Sequence, residues 1–250
     1  MVRRRYVRLR LVHTKKNNYA ANEGRFAMKL KLDFSSLWAY RMSWVKGLES
    51  TLLVTLIALA VAVVIALVLA AFRLSKIKPL NWIASIYLSI FRGVPQIVQI
   101  MFIYFGIPQL TGHKLAPFVA GWLALGLNAG AFMSELLRGG IQSVDYGQKE
   151  AAVAMGMSGA RIQFGIVIPQ AIKSILPGLI NEVIALLKGS SLIYAIGAAE
   201  LMRNTQLVIS STFRSFECYI IIGVIYWILV TILTTIGRRV ERWVNRSGQR

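Results

Sequence analysis

Three scarcities narrow the field before any pattern is read. Cysteine occurs once, at Cys218, and histidine twice, at His13 and His113, so neither an intramolecular disulfide nor a Cys/His zinc cluster is available. Both histidines sit in connecting segments, and no nucleophile, base and orienting group fall at workable spacings, which argues against an enzyme. The dipeptide Gly-Lys is absent. That excludes the phosphate-cradling loop G-x-x-x-x-G-K-[ST], so the chain is not itself a P-loop ATPase. Acidic residues number only ten against twenty-nine Lys and Arg, a formal charge of +19, an imbalance shared by nucleic-acid binders and inner-membrane proteins. With 16% charged and 56% hydrophobic residues and a mean hydropathy of +0.58, the membrane is favoured.

Long apolar runs fill the space those absences leave. Thr51 to Phe72 is 22 residues without a charge, enough at about 1.5 Å per residue to cross a core of roughly 30 Å. Leu80 to Ile107 is apolar but interrupted by Arg92-Gly93-Val94-Pro95. As one helix it would overshoot the core by about 10 Å, so an interfacial piece over 80–91 and a second crossing completed by 94–107 are expected. Pro117 to Leu137 is a third span carrying Asn128 and Glu135, and Pro177 to Leu201 a fourth carrying Glu182, Lys188 and a Gly189-Ser190-Ser191 interruption. Phe216 to Ile236 is the fifth, followed by five arginines that should anchor the C-terminus in the cytoplasm. The expected fold is an all-α membrane protein of about five transmembrane helices. One membrane domain, residues 48–250, follows a basic segment, 1–47.

Arg138 to Ser174, between spans three and four, is unlike a simple linker. Asp145 with Gln148 three residues on reads as an N-cap, Gly156 as a stop, and Ser158 as the cap of a second short helix ending before Pro169. Ala152, Val153, Met155, Met157, Ile162 and Phe164 would be exposed on this hairpin. They suit a partner's docking surface or a loop lying on the membrane, and physics alone leaves both open.

Glu150-Ala151-Ala152, then Gly156, then Ile166, Ile168 and Pro169 resemble the EAA loop of ABC importer permeases, E-A-A-x3-G-x9-I-x-L-P, with Ile168 in place of Leu. Further blocks resemble the polar-amino-acid branch of that family: Phe91 to Pro95 with Gln99, Arg138 to Val144 leading to Gly147-Gln148, Asn181-Glu182, Leu187-Lys188 with Ser191-Leu192, and Thr212 to Arg214 with Phe216-Glu217. The resemblance runs from about Leu32 to Ile236. It implies an ATP-driven importer in the bacterial cytoplasmic (inner) membrane, built from two permease subunits, two cytoplasmic ABC ATPases and an extracytoplasmic substrate-binding protein. Under it this chain binds no cofactor, ATP being used by the partner. Glu150, Ala151, Ala152, Gly156, Ile166 and Pro169, within the EAA loop at about 145–169, would couple to the ATPase.

The family topology puts the EAA segment and the C-terminus inside. Inside loops then hold twelve Lys and Arg against seven outside, but residues 1–27 add eight to the outside total, which reverses the positive-inside rule. Residues 1–27 therefore read as a disordered extension, or as lying upstream of a true start at Met28. A basic arm binding anionic lipid or nucleic acid is the rival; with Tyr6 and Tyr19 its only tyrosines, nucleic acid is disfavoured.

Ionisable and amide groups inside spans are costly and mark function by default. For Glu135 and Glu182, near the loop end of their spans, a structural role is favoured. Lys188 beside Ser190 and Ser191, where a broken helix would bare backbone groups to a polar cavity, suits an amino-acid carboxylate. Asn128, and Arg214 with Glu217 at the outer end of span five, complete the substrate-pathway candidates. An ion-gradient-driven secondary transporter is the alternative, since broken, charged spans would serve it equally. Which amino acid is carried, and whether the permease pair is a homodimer or heterodimer, the sequence leaves open.

Overall fold

The computed structural model describes residues 32–246, with side chains to Val244; the expected extension 1–27 lies outside the described residues. The described residues divide into two units, one ending at Trp38 and one beginning at Ala39. In the described part of the first, Asp33 Oδ1 accepts from the backbone N and the Oγ of Ser35 at 3.0 and 2.6 Å. The second unit carries the helices.

Helix α1 is Arg41–Leu74. It starts ten residues before the apolar run because its first turns are pinned: Trp44 Nε1 donates to Thr205 Oγ1 at 3.2 Å and Asn204 Nδ2 to the Ser43 carbonyl at 2.8 Å. Val54, Ala58, Ala62 and Ala66 recur every four residues and are fully buried, whereas Leu56, Val64 and Leu67 are exposed on the other faces. The face turned inward is thus the one with small side chains. It packs on α4, Pro117–Gln142, whose Ala120, Ala124 and Ala129 are equally buried. A Cβ placed on Gly130 would lie 2.7 Å from the Ile65 Cβ, and one on Gly126 would lie 2.8 Å from Val61. Small residues that let backbones approach closely are how helices associate where no hydrophobic force separates them from lipid.

Between them α2, Lys78–Gly93, and α3, Gln96–Thr111, are bent by 109° at a two-residue break. Pro95 explains it: the ring disfavours helical backbone at the preceding residue, and Val94 is extended at φ −99°, ψ 135°. The expected second crossing is therefore a sharply bent pair. Among the described residues four helices are long and apolar enough to cross a membrane, or five spans if this pair makes one.

The hairpin begins with α5, Tyr146–Ala154, capped by Asp145 Oδ1 accepting from the Gly147 N. Gln148 does not complete that cap and instead accepts from Gln170 Nε2. Gly156, at φ +75°, makes the turn, with the Met157 N–H returned to the Ala152 carbonyl at 3.1 Å. Ser158 makes no side-chain cap. Two expectations fail beyond it. The second arm does not end before Pro169 but runs on as α6, Gly159–Ile196. A π-turn over Gln163–Val167 places Pro169 in the first turn of the next α segment, where its missing N–H is no loss. Nor does span four reach Leu201: α6 tightens to a 3-10 helix over Ser190–Ile196 and stops at Gly197, φ +82°. A separate helix follows, α7, Leu201–Thr212, and then α8, Ser215–Arg246.

Gly130→Ala should lower the thermal midpoint of the detergent-solubilised protein, costing about 1–3 kcal/mol as the α1–α4 seam is forced apart. Gly139→Ala, where a Cβ meets nothing within 4 Å, is the matched control and should not destabilise.

Candidate functional site

The break at Pro95 leaves carbonyls without helical partners, and two amides take them up. Gln99 Nε2 donates to the Phe91 and Val94 carbonyls at 2.9 and 2.8 Å. Asn128 Nδ2, from α4, donates to the Phe91 carbonyl at 3.1 Å and to Gln99 Oε1 at 3.0 Å. The bend is thus clamped to α4 by hydrogen bonds, at a depth where unsatisfied backbone groups would be costly.

Beside this clamp lies a cavity of about 200 Å³ lined by Gln96, Asn128, Ala129, Phe132, Glu182, Ala185 and Leu186. Glu182 comes from α6, is half-buried, and has no hydrogen bond or ion pair among the described residues. Apolar walls with a few convergent polar groups are the usual form of a small-molecule site. A second cavity, of about 500 Å³, is lined by Arg73, Ser85, Leu88, Ser89, Arg92, Gly93, Phe132 and Glu135. Glu135 is held by Arg138 through two bonds, at 2.9 and 3.0 Å, with Arg92 at 3.7 Å and Arg73 at 3.8 Å.

The candidates from the sequence are scattered by the fold. Asn128 lies at the clamp and lines the smaller cavity. Lys188 is exposed and does not line it. Ser190 is fully buried with its hydroxyl donating to the Leu187 carbonyl, and Ser191 donates to the Lys188 carbonyl at 2.8 Å. The interruption at Gly189 is therefore a tightened helix rather than an open one, and the expected bare backbone is absent there. Arg214 and Glu217 form an ion pair at 3.4 Å, Glu217 being nearly buried.

In the hairpin, Ala152 and Ile162 are not exposed as expected; with Val144, Val167 and Ala171 they form a small core, against which Met157 and Ile166 pack. Glu150, Ala151, Gly156 and Pro169 are exposed, as are Val153, Met155 and Phe164. Tyr146, Lys149, Glu150, Val153 and Ala154 border a further open hollow on this surface.

Sequence reasoning missed Gln96, Phe132, Arg73 and Arg92, whose roles depend on the Pro95 bend, and also Glu200. Glu200 is fully buried and caps α7, accepting from the Met202 and Arg203 N–H groups at 2.8 and 2.7 Å. The Tyr226 hydroxyl lies against Glu200, Thr51 and Ser190 without a well-formed hydrogen bond. Burial pushes the Glu200 carboxyl up to about 7, against the opposing pull of its two backbone donors. An acid directly before a helix with N–H groups two and three residues on was the available signal.

Because the folded state binds this proton more tightly than the unfolded chain, its stabilising contribution is full below the ordinary carboxyl range and is lost as pH rises towards 7. The thermal midpoint in detergent should accordingly fall between pH 5 and pH 8, and Glu200→Gln should flatten that slope. An unchanged slope in the variant would assign the pH dependence to another group.

A model of the family described as "binding-protein-dependent transport system inner membrane component" matches residues 62–246. The arginine transport system permease protein ArtQ of Bacillus subtilis is 40% identical over 213 residues, covering 85% of this chain and 97% of that protein. A putative glutamine transport system permease protein, GlnP, of Rickettsia felis is 39% identical over 198 residues, 79% of this chain and 91% of the relative. Among solved structures, one described as an amino acid ABC transporter with histidines superposes with a TM-score of 0.81 at 40% identity, over 85% of this chain and 99% of that one. The MetNI methionine ABC transporter in an inward-facing conformation, at 21% identity and a TM-score of 0.67, shares the fold.

Proposed function

The chain belongs to the family of binding-protein-dependent transport system inner membrane components, and we propose that it is the permease subunit of an ATP-driven importer of polar amino acids. The observation that carries the substrate class is the small cavity at the Pro95 break. Glu182 presents a carboxylate with no partner among the described residues, and Gln96 and Asn128 present amides, on walls of Ala129, Phe132 and Leu186. A carboxylate suits an ammonium or guanidinium, and the amides suit the polar remainder of an amino acid. Two relatives bearing the names of arginine and glutamine permeases support the same class.

Coupling is assigned to the hairpin. Its inner face is packed by Ala152, Ile162 and Ile166, so it moves as a piece. Its outer face carries Val153, Met155 and Phe164 beside Glu150, apolar area that no described residue covers. Docked in a cleft of a cytoplasmic ATPase, such a piece turns closure of the ATPase into movement of α6. Substrate arrives from an extracytoplasmic binding protein, and a second permease, the same chain or a relative, completes the path. In the proposed orientation the hairpin and the C-terminal arginines face the cytoplasm, which an excess of Lys and Arg on that side, residues 1–27 apart, supports. An ion-gradient-driven transporter would leave this surface without a role.

Met155→Asp puts a charge on the exposed turn without touching the hairpin core. Gly156→Val forces a branched side chain into left-handed backbone. Both should reduce retention of the ATPase on affinity purification by about tenfold and uptake in parallel, with membrane expression unchanged. Normal retention and uptake in both variants would remove the docking role.

A further inference from the structure

The two cavities share one wall. Phe132 lines both, with Asn128 before it and Glu135 after it on the same face of α4. Asn128 and Glu135 are seven residues apart, about 10 Å along the helix, and Glu135 is the nearer to the hairpin. The compartments also differ in charge. The first presents the lone carboxylate of Glu182. The second is lined by two guanidiniums, Arg73 and Arg92, and by the carboxylate of Glu135, which Arg138 neutralises from outside the cavity lining.

That single carboxylate is largely taken. Arg138 binds both of its oxygens, and neither Arg92 at 3.7 Å nor Arg73 at 3.8 Å donates a hydrogen bond to it. Arg73 spends one terminal nitrogen on Asn81 and Ser85, both at 2.7 Å, but its Nε is buried without a hydrogen-bond acceptor. Arg92 is half exposed, and its guanidinium stands 5.9 Å from the centre of the Phe132 ring. The exposed fork of Arg92 beside the Ser89 hydroxyl, with the charge of Arg73 behind them, forms a receptor for a carboxylate; the Ser85 hydroxyl is already given to the Asn81 carbonyl.

We propose that this second cavity is a distinct subsite on the transport path, in which Arg92 and Arg73 take the α-carboxylate of the departing amino acid at the edge of Phe132, before the rest of the molecule passes the ring. The ring, held by Arg92, is the barrier between the compartments. Once the carboxylate binds Arg92, the guanidinium leaves the ring and the barrier relaxes, so each step of exit is matched to one charge of a zwitterion. This rests on the reading that the Glu182 cavity is where substrate first binds.

The test uses the permease assembled with its ATPase and reconstituted in vesicles, with radiolabelled L-arginine and L-glutamine as probes. Arg92→Gln should leave equilibrium binding within about twofold of the parent and cut ATP-driven uptake by about tenfold, the size expected for losing a charged hydrogen bond. Arg92→Lys should restore part of the rate. Phe132→Ala should speed ATP-independent efflux from preloaded vesicles several-fold. Glu182→Gln, by contrast, should lose binding itself. Wild-type uptake by Arg92→Gln, or loss of binding together with uptake, overturns the second subsite alone. Undiminished binding by Glu182→Gln overturns the first cavity as the entry site, and the inference with it.

Discussion

Everything at the centre of this fold depends on one backbone interruption being satisfied. Pro95 removes a donor and drives Val94 out of the helix, which inside a bilayer would strand carbonyls at a cost of several kcal/mol each. Gln99 and Asn128 meet that demand with three hydrogen bonds to the carbonyls and a fourth between themselves, and in doing so fix where α2, α3 and α4 stand relative to one another. The cavity containing Glu182 lies beside this bend, with Gln96 from its far side and Asn128 from the clamp in its wall.

The second organising element is the length of α6. It carries the inner residues of the hairpin at its start, Glu182 in its middle and the buried turn beside Glu200 and Tyr226 after its 3-10 end. From Ile166 to Glu182 is sixteen residues, about 24 Å. In the proposed mechanism a displacement of the hairpin is therefore delivered to the cavity by one rod rather than by a chain of loops. In that mechanism the α1–α4 pair, packed closely at Gly126 and Gly130, would be the stationary body against which the rod shifts.

Much of this architecture was legible. The charge-free run over 51–72, the apolar stretches around 117–137 and 216–236, the Asp145 cap and the Gly156 turn all carry local signals, and local signals dominate where lipid enforces helices. What escaped was set by context. Pro169 reads as a stop, yet a π-turn absorbs it. Gly189-Ser190-Ser191 reads as an opening, yet the serine hydroxyls return to the preceding carbonyls and the helix merely tightens. Lys188 drew attention because it is a charge within an apolar run, whereas Glu182, two turns earlier, faces the cavity. Which side of a helix meets a hollow is decided by its neighbours, and a single run of residues does not report it.

The most direct measurement is of energy coupling. The chain, co-expressed with its ABC ATPase and reconstituted, is supplied with binding protein and labelled amino acid, and uptake is followed with and without ATP inside the partner's compartment and with the ion gradients collapsed. The account predicts accumulation that requires ATP and survives loss of the gradients. Uptake that proceeds without the ATPase and vanishes when the gradients are collapsed would contradict it.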